Sequence, residues 1–277
     1  MSGDTGAGLR RLLLRRGLAW PAPVHDFQVI DSTSLWLKAA ARAGAVPWTV
    51  ALAREQTAGR GRHGHEWLSP RGGLYLSLLI ERPQRVDATR PGPLALLAGV
   101  AVARALAGHG LDARLKWPND VRVGGRKIAG LLVEAVTRVG VPMFVLGVGV
   151  NVDWSEAALP ESMQGSVTAL ATEGVEACDV LGLAAAVLAE LTVCYDALAR
   201  QGTGVIVEQW RKLSEPWWGR PVEMHAGGRR IRGIAVDVAE DGALVIEQGD
   251  AGRCALYAGE VEELRPKSGA NEIDARS

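Results

Sequence analysis

Blocks of apolar residues alternate with polar and glycine-rich stretches along the chain, and their spacing predicts a mixed α/β protein. Two apolar runs, "WTVALAREQ" and "LYLSLLIE", predict buried strands. Upstream, "VHDFQVIDSTS" predicts a strand that ends at Asp31 or Ser32, a good helix N-cap, and "SLWLKAAARAG" predicts a helix that closes on Gly44. The nearly all-apolar "PLALLAGVAVARALAGHG" predicts a core helix that starts after Pro93.

The densest patterning is in "ARLKWPNDVRVGGRKIAGLLVEAV". Short strands, "VRV" and "RKI", flank a glycine pair and predict a hairpin. The segments "LLVEAV" and "FVLGVGVNV" are predicted to pair through a turn near Gly140 and Pro142. Helical periodicity follows in "CDVLGLAAAVLAELTVCYDALAR" and "VIVEQWRKL".

The pattern changes at "SEPWWGRP", after which short strands alternate with turn residues at Gly227–Gly228, Asp241–Gly242 and Gly249–Gly252. Close-spaced strands of this kind favour a small β-barrel. The predicted divisions are an N-terminal extension with a short amphipathic helix (1–24), a main domain (25–214), the small barrel (217–265) and a frayed polar tail (266–277).

Charge and cysteine usage narrow the function classes. Lysine plus arginine total 31 and aspartate plus glutamate total 31, so the zero net charge disfavours duplex-DNA binding and makes any cationic function local. The three cysteines form no CxxC pair, which fits a reducing cytosol and a cytoplasmic protein. The N-terminal leucine run is too short and too charged for a signal peptide or membrane span, so no membrane association is expected.

The stretch "GRGRHGHEW", Gly59 to Trp67, predicts an anion-binding loop. Its glycines allow the backbone to approach a ligand closely, and Arg60 and Arg62 offer guanidinium donors for phosphate or carboxylate. No Gly-Lys-Ser/Thr follows, so it is not a Walker A loop. The loop's histidines have no third ligand at a fixed offset, which disfavours a metal site. A nucleic-acid contact and a plain solvated loop remain open.

The segments "KWPND" and "KIAG" place polar groups behind this loop. Pro118 favours an extended, turning backbone, so Asn119 and Asp120 are expected at a strand end with side chains free for a ligand. Lys127 follows a tight hairpin, where a rigid strand can aim its ammonium. A lysine and a carboxylate in one pocket suit chemistry on phosphate. The alternatives are a strand lysine that extends to water and ordinary turn residues.

The stretch "GVGVNV", Gly147 to Val152, is a strand interrupted by glycines that ends on Asn151. Glycines inside a strand often mark the close approach of a ligand or backbone. The Asn151 amide can both donate to and accept from a purine edge. A bulge with a turn asparagine is the alternative.

Four motifs follow one another along the chain in the order "GRGRHGHEW", "KWPND", "KIAGLLVE" and "GVGVNV", and "DSTS" and "REQTAGRG" lie upstream. With this ordered set, the chain resembles the biotin–protein ligase family over residues 25–265. The resemblance implies an enzyme that makes biotinyl-5′-AMP from biotin and ATP with Mg²⁺. It then transfers biotin to one lysine of the biotin carboxyl carrier domain of a biotin-dependent carboxylase. The implied fold is a mixed-sheet catalytic domain flanked by helices, followed by a small SH3-like barrel.

The resemblance also implies site residues. The biotin-binding residues would be Ser32, Thr33, Gln56, Gly59, Arg60, Arg62, Trp67 and Gly130. The residues around ATP and the adenylate would be Arg60, Arg62, Trp67, Lys127 and Asn151. The catalytic residues would be Arg62, Asn119, Asp120 and Lys127. Within this set Lys127 would bridge the biotin carboxylate and the α-phosphate, and Mg²⁺ would be carried mainly by the ATP phosphates. Our own hypothesis is that Asp120 orients or deprotonates the incoming amine.

Some family members carry an N-terminal helix-turn-helix and repress genes. Too little chain precedes the first predicted strand for such a domain, so we expect a monofunctional ligase without specific DNA binding. An exposed strand edge would be compatible with a homodimer.

Three rival functions remain. A lipoate–protein ligase or octanoyltransferase has a related fold, but the latter is expected to need a cysteine nucleophile. Cys178 and Cys194 are predicted at apolar positions of a helix, and Cys254 in the barrel. An arginine-glycine nucleic-acid module would leave "KWPND" and "KIAG" unexplained. A silent biotin-binding protein is opposed by the presence of Lys127 and Asp120.

The chain departs from the family pattern at Ser34, where asparagine is common, and at His63 and His65, where arginine is common. Ser34 is still expected to cap the helix. Because histidine titrates near neutral pH, closure of the loop should be pH-sensitive. We expect retention of bound adenylate to change between about pH 6 and pH 8. Measuring that retention in His63→Ala and His65→Ala tests the idea, and an unchanged pH profile in both variants would reject it.

Overall fold

The computed structural model describes residues 5–87, 89–138, 141–154, 159–226, 229–257 and 260–263 of the 277-residue chain. The chain divides into two compact units. The larger comprises Met1–Glu215 with Glu240–Gly242, and the smaller comprises Pro216–Ala239 with Ala243–Ser277. The division between Glu215 and Pro216 falls within "SEPWWGRP".

A seven-stranded sheet forms the larger unit. Its strands are β1 (Val24–Phe27), β2 (Val50–Ala53), β3 (Gly73–Glu81), β4 (Arg114–Lys116), β5 (Asp120–Val123), β6 (Arg126–Arg138) and β7 (Val141–Asn151). The strand order is β1-β2-β3-β7-β6-β5-β4. The β1–β2 pair is parallel and the other neighbouring pairs are antiparallel, so the sheet is mixed, as predicted.

Helices cover both faces of this sheet. They are α1 (Thr5–Arg15), α2 (Thr33–Arg42), α3 (Gly92–Ala107), α4 (Val180–Gln201) and α5 (Thr203–Leu213). Side chains alternate between faces along a strand, so Val145, Gly147 and Gly149 share one face of β7. Leu37 and Ala41 of α2 pack on that face in one cluster with Val145. On the other face α3 approaches closely, because Gly99 leaves room for Leu115 of β4, whose Cδ2 would lie 3.3 Å from an added Cβ.

Among the described residues, α4 is the helix long and apolar enough to cross a membrane by length and hydropathy. It contacts α1, α3 and α5, and residues such as Leu183, Val187 and Leu191 are fully or almost fully buried. The helix therefore has the packing of a core helix.

Several predicted boundaries were wrong. β1 ends at Phe27, because beyond it Ile30 makes only an isolated bridge to Gln56. α3 begins at Gly92, with Pro93 in its first turn. Cys178 precedes α4, whose N-cap is Asp179, so this cysteine is not on the helix. Cys194 is buried on α4 and Cys254 lies on the small unit's β11 (Arg253–Leu256), as predicted.

The smaller unit is a five-stranded antiparallel sheet. The strands before and after β11 are β8 (Pro221–Ala226), β9 (Arg229–Val238), β10 (Leu244–Glu247) and β12 (Glu260–Glu263), and the order is β11-β10-β9-β8-β12. Its fully buried side chains include Val222, Met224, Val238, Leu244 and Ile246. The turns predicted at Gly227–Gly228 and at Gly140 lie outside the described residues, although β6 and β7 pair as expected.

Gly72, just before β3, lies against the backbone of Asp153, and its substitution tests how much this close contact contributes to stability. Its φ is +91°, and an added Cβ would lie 1.9 Å from the Asp153 carbonyl oxygen. Gly72→Ala should therefore lower the free energy of unfolding by roughly 3 kcal/mol or more. Gly110 is the matched control, since its φ is +81° with no atom within 4 Å of an added Cβ. Gly110→Ala should cost only about 1 kcal/mol in the same urea titration; equal losses would contradict this account.

Candidate active site

A floor of two glycines lies at the centre of the large sheet. Gly130 of β6 pairs directly with Gly149 of β7. The Trp67 indole lies against both: an added Cβ would be 2.6 Å from Trp67 Cζ3 at Gly130 and 2.4 Å from Nε1 at Gly149. A residue with a Cβ atom at either position would prevent the indole from approaching the sheet this closely. The close approach that the glycines predicted is made here by an aromatic side chain.

The arginine-glycine loop carries Trp67 to this floor as a small hairpin. Trp67 N–H donates to the Gly59 carbonyl at 3.0 Å, and Gly61 N–H donates to the His65 carbonyl at 2.7 Å. Gly59 permits the closure, because an added Cβ would lie 2.3 Å from the Trp67 carbonyl oxygen. The tip is a short 3₁₀ turn, Arg62–Gly64. The loop is thus a hydrogen-bonded unit that presents Trp67 on its inner side.

A chain of hydroxyl and amide groups runs beside this hairpin. Gln56 Oε1 accepts from the Thr33 backbone N–H at 2.9 Å and from its hydroxyl at 3.0 Å. The Gln56 amide donates to Ser69 Oγ at 2.9 Å, and Ser69 Oγ donates to the Trp67 carbonyl at 2.9 Å. The network links the N-terminus of α2 to the loop. Ser32 begins it as the N-cap of α2, with Oγ accepting from Leu35 N–H at 3.4 Å.

Sequence reasoning missed two members of this network. Ser77 is fully buried within β3 and its Oγ lies 2.8 Å from Thr33 Oγ1 and 2.9 Å from Ser34 Oγ. A single polar residue inside the apolar run "LYLSLLIE" was the available clue. Ser69 had no comparable pattern. The expectation for Ser34 was wrong: it lies inside α2 and bonds Ser77, whereas Ser32 caps the helix.

Tyr75 fixes the segment that follows the loop, at Pro70. Its hydroxyl donates to the Pro70 carbonyl at 2.6 Å. Burial raises the pKa of the Tyr75 hydroxyl above its ordinary value, so it stays a neutral donor at physiological pH.

The candidate reactive group is Lys127, at the start of β6. Its Nζ lies 2.6 Å from Asp120 Oδ1 and 5.2 Å from the centre of the Trp67 ring. The two side chains are 27% and 20% exposed, so the pair faces solvent at the edge of the site. Asp120 is directly opposite Gly130, which brings the carboxylate beside the glycine floor. The structure therefore places the predicted lysine and carboxylate together.

The Lys127 backbone is clamped from both sides by a segment that the sequence did not single out. Lys127 N–H donates to the Ser166 carbonyl, and Thr168 N–H donates to the Lys127 carbonyl, both at 2.9 Å. The Thr168 hydroxyl bonds Glu173 Oε1 at 2.5 Å, and Arg126 pairs with the same oxygen at 2.7 Å. These contacts fix the strand from which Lys127 projects.

The two asparagines have structural partners that their motifs did not predict. Asn151, 1% exposed, donates from Nδ2 to the carbonyls of Thr168 at 2.9 Å and Lys127 at 3.3 Å. Its buried Oδ1 has no hydrogen-bond partner among the described residues. Asn119 donates from Nδ2 to the Leu131 carbonyl at 2.7 Å, so the expectation of a side chain wholly free for a ligand was wrong.

The loop arginines occupy different positions. Arg60 Nη2 lies 3.6 Å from Glu134 Oε1, which also accepts from Lys38 Nζ at 2.9 Å. Arg62 is half-buried at the start of the 3₁₀ turn. His63 and His65 are exposed. No group of three or more histidine, cysteine, aspartate or glutamate side chains that could hold a metal ion occurs in the described part of the chain.

Comparisons with known proteins identify the family. The profile of the Biotin/lipoate A/B protein ligase family matches residues 27–151, and that of the Biotin protein ligase C terminal domain matches residues 218–262. The Biotin--[acetyl-CoA-carboxylase] ligase of Mycobacterium tuberculosis is 36% identical over 267 residues, which cover 93% of this chain and 94% of that protein. The Bifunctional ligase/repressor BirA of Escherichia coli is 35% identical over 224 residues, covering 79% and 68%.

Solved structures agree with these relatives. The biotin protein ligase from Aquifex aeolicus in complex with biotin and ATP has a TM-score of 0.74 and 26% identity, and the match covers 88% of this chain and 99% of that one. The resemblance read from the ordered motifs is confirmed. The chain belongs to the biotin–protein ligase family.

Proposed function

We propose that this protein is an ATP-dependent ligase that activates biotin as biotinyl-5′-AMP and transfers it to a specific lysine of a biotin carboxyl carrier domain. One observation carries the proposal: Lys127 lies between Asp120 and Trp67, beside the Gly130–Gly149 floor, in a chain of this family. The relatives' names supply the acceptor class, since the M. tuberculosis protein is a Biotin--[acetyl-CoA-carboxylase] ligase.

The network at the end of α2 suits the biotin head group. The ureido ring of biotin is neutral and both donates and accepts hydrogen bonds, so hydroxyl and amide groups in an apolar slot recognise it. Ser32, Thr33 and Gln56 supply such groups here, already oriented by one another. Trp67 forms one wall of the slot, Gly59 holds the loop closed, and the Gly130 backbone lines the slot beneath the Trp67 ring.

In the first half-reaction a biotin carboxylate oxygen attacks the α-phosphorus of ATP. The P–O bond to the β-phosphate breaks and pyrophosphate leaves with the electron pair, without net proton transfer. Two anionic groups must approach, so a fixed cation lowers the barrier. Lys127 supplies that cation where the carboxylate and α-phosphate meet, and Arg62 is proposed to stabilise the same charge. The clamped backbone of Lys127 keeps its position when the substrates bind.

In the second half-reaction a neutral lysine amine of the carrier attacks the acyl carbon. The C–O bond to phosphate breaks, AMP leaves, and the nitrogen loses one proton. Asp120 is proposed to orient this amine and accept that proton, with Asn119 shaping the turn that holds the carboxylate. Once Lys127 turns toward phosphate, the Asp120 carboxylate loses its ion-pair partner and can take the new one.

The hairpin loop is proposed to shield the adenylate from water. A mixed anhydride hydrolyses readily, so water exclusion preserves it until the carrier arrives. Arg60 and Arg62 bring positive charge to the loop's phosphate-facing side. Arg60 also contacts Glu134 outside the loop, which gives the hairpin a fixed point on β6.

Asn151 is proposed to contact the adenine. Its Nδ2 is already bound to protein carbonyls, which leaves Oδ1 to accept from the exocyclic amine of the base. A buried acceptor without a partner is costly, so a donor from the nucleotide would relieve that cost.

Mg²⁺ is proposed to enter with the nucleotide. The described residues contain no group of three or more histidine, cysteine, aspartate or glutamate side chains that could hold a metal, and Asp120 offers a carboxylate beside Lys127, so the donor set fits a metal held mainly by phosphate oxygens. When bound, Mg²⁺ would offset charge on the phosphates.

The proposed macromolecular partner is the carrier domain of a carboxylase. The zero net charge supports a function that does not require duplex DNA. Two expectations stay predictions: that the protein does not bind DNA specifically, and that it can form a homodimer.

Biotin-dependent exchange of labelled pyrophosphate into ATP tests the proposed function. We expect exchange with biotin and none with lipoate; exchange with lipoate alone would overturn the substrate assignment. Transfer of labelled biotin to a carrier domain tests the second half-reaction.

Lys127→Ala should reduce the exchange rate by about a hundred-fold or more, because a cation at the developing charge is lost. Biotin affinity, measured by calorimetry, should stay within about three-fold, because Lys127 faces the carboxylate end only. Lys212→Ala is the matched control, since it removes an exposed lysine that pairs with Glu208 on α5. A Lys127→Ala variant with normal exchange would exclude the role given to this residue.

A further inference from the structure

Strands β4 and β5 have one apolar and one charged face. Leu115, Val121 and Val123 are buried on the first. The second carries Arg114, Lys116, Asp120 and Arg122, with Arg114 directly opposite Arg122 and Lys116 directly opposite Asp120. Cross-strand partners in an antiparallel pair lie on the same face. Lys116 therefore belongs to the surface that carries the Asp120–Lys127 pair.

One cation on this face has no ion-pair partner. Lys127 pairs with Asp120 at 2.6 Å, and Arg122 pairs with Glu215 at 3.5 Å. The Lys116 side chain has no ion-pair or hydrogen-bond partner within the ranges that the structure describes. Lys116, Asp120, Arg122, Lys127 and Glu215 thus carry a net charge of +1, with the excess at Lys116. Arg114 on the same face is paired with Asp112 and adds no net charge.

The surroundings of Lys116 favour the arrival of an anion. Burial lowers the pKa of the Lys116 amine, Arg122 lowers it next, and Lys127 also lowers it, whereas Asp120 and Glu215 act in the opposite direction. A lysine that merely extends to water would not be so desolvated. An anion bound here would compensate the desolvated ammonium and the crowding of positive charge.

The position of Lys116 relative to Lys127 and Trp67 connects it with the proposed adenylation reaction. The groups follow one another from Trp67 to Lys127 at 5.2 Å, then to Asp120 at 2.6 Å, with Lys116 directly across from Asp120. In phosphoryl-type displacement the attacking and leaving oxygens lie on opposite sides of phosphorus. If biotin lies on the Trp67 side of Lys127, the leaving group departs toward Lys116 and Arg122.

We propose that Lys116, with Arg122 beside it, forms a binding site for the pyrophosphate leaving group, that is, for the β- and γ-phosphates of bound ATP. The inference rests on the proposed adenylation function and extends it to a residue that acts in one half-reaction only. Bond changes are those of the first half-reaction: pyrophosphate takes the electron pair of the cleaved P–O bond, and Lys116 donates hydrogen bonds to its oxygens.

The proposal can be tested because the two half-reactions can be measured separately and pyrophosphate takes part only in the first. Lys116→Met keeps the aliphatic stem and removes the charge. Because a hydrogen bond from a charged donor is lost, KM for ATP in pyrophosphate exchange and the inhibition constant for inorganic pyrophosphate should both rise about ten- to hundred-fold. Transfer from preformed enzyme-bound biotinyl-5′-AMP to the carrier should stay within about two-fold, because no pyrophosphate takes part.

Two variants control for charge and folding. Lys116→Arg keeps a cation and should restore most of the affinity for pyrophosphate. Arg114→Met removes a cation from the same strand, where Arg114 pairs with Asp112 at 3.0 Å, and should leave both half-reactions nearly unchanged. An Arg114→Met effect equal to that of Lys116→Met would mean that only the general positive charge matters, and would overturn the proposal.

Further outcomes separate this inference from the proposed function. Loss of transfer by the same factor as exchange, or unaltered pyrophosphate inhibition in Lys116→Met, would reject the Lys116 site while leaving the ligase assignment intact. Absence of biotin-dependent exchange in the unmodified protein would reject the ligase assignment. Calorimetric titration with inorganic pyrophosphate tests the site without biotin: binding that weakens in Lys116→Met supports it, and binding that is equal in both proteins contradicts it.

Discussion

The contact of the Trp67 ring with the facing glycines of β6 and β7 is the constraint on which the site depends. Because Gly130 and Gly149 lack side chains, the indole lies directly on the sheet. The position of the ring in turn defines how far the arginine-glycine hairpin reaches and places an aromatic face 5.2 Å from Lys127. A larger residue at either glycine would displace the ring, the hairpin and the lysine contact together.

The reactive face is rigid for a second reason, which is that its charged side chains project from strands. Lys127 is held through its backbone by Ser166 and Thr168, and Asn151 adds a bond to the same carbonyl. Charges that stabilise a reaction are most effective when they need not move. The groups proposed to select biotin lie at the start of α2 and beside the loop, and the lysine proposed to stabilise charge lies on β6.

Much of this arrangement could be predicted from local pattern. Apolar runs predicted β2, β3 and β7, and the glycine pair between two short strands predicted the β5–β6 hairpin. The placement of Asp120 and Lys127 on either side of that hairpin predicted that they meet, and the ordered motifs indicated the family. The failures involve polar residues whose partners are distant. Thr33 and Ser77 are 44 positions apart, so nothing near Ser77 indicated its partner. Asn119 resembled a ligand group, but it bonds the Leu131 carbonyl, 12 positions along the chain.

The sequence by itself determined the mixed fold, the family and the chemical types gathered at the site, because hydrophobic periodicity and ordered motifs are local properties of the chain. Only the tertiary structure decided which groups are paired and which are left without a partner. Lys116 is one example: it begins the "KWPND" motif, but nothing in that motif shows that its side chain lacks an ion pair. This lack follows from Asp120 bonding Lys127 and Arg122 bonding Glu215. Such competition for partners is settled by distances in space, which sequence spacing does not record.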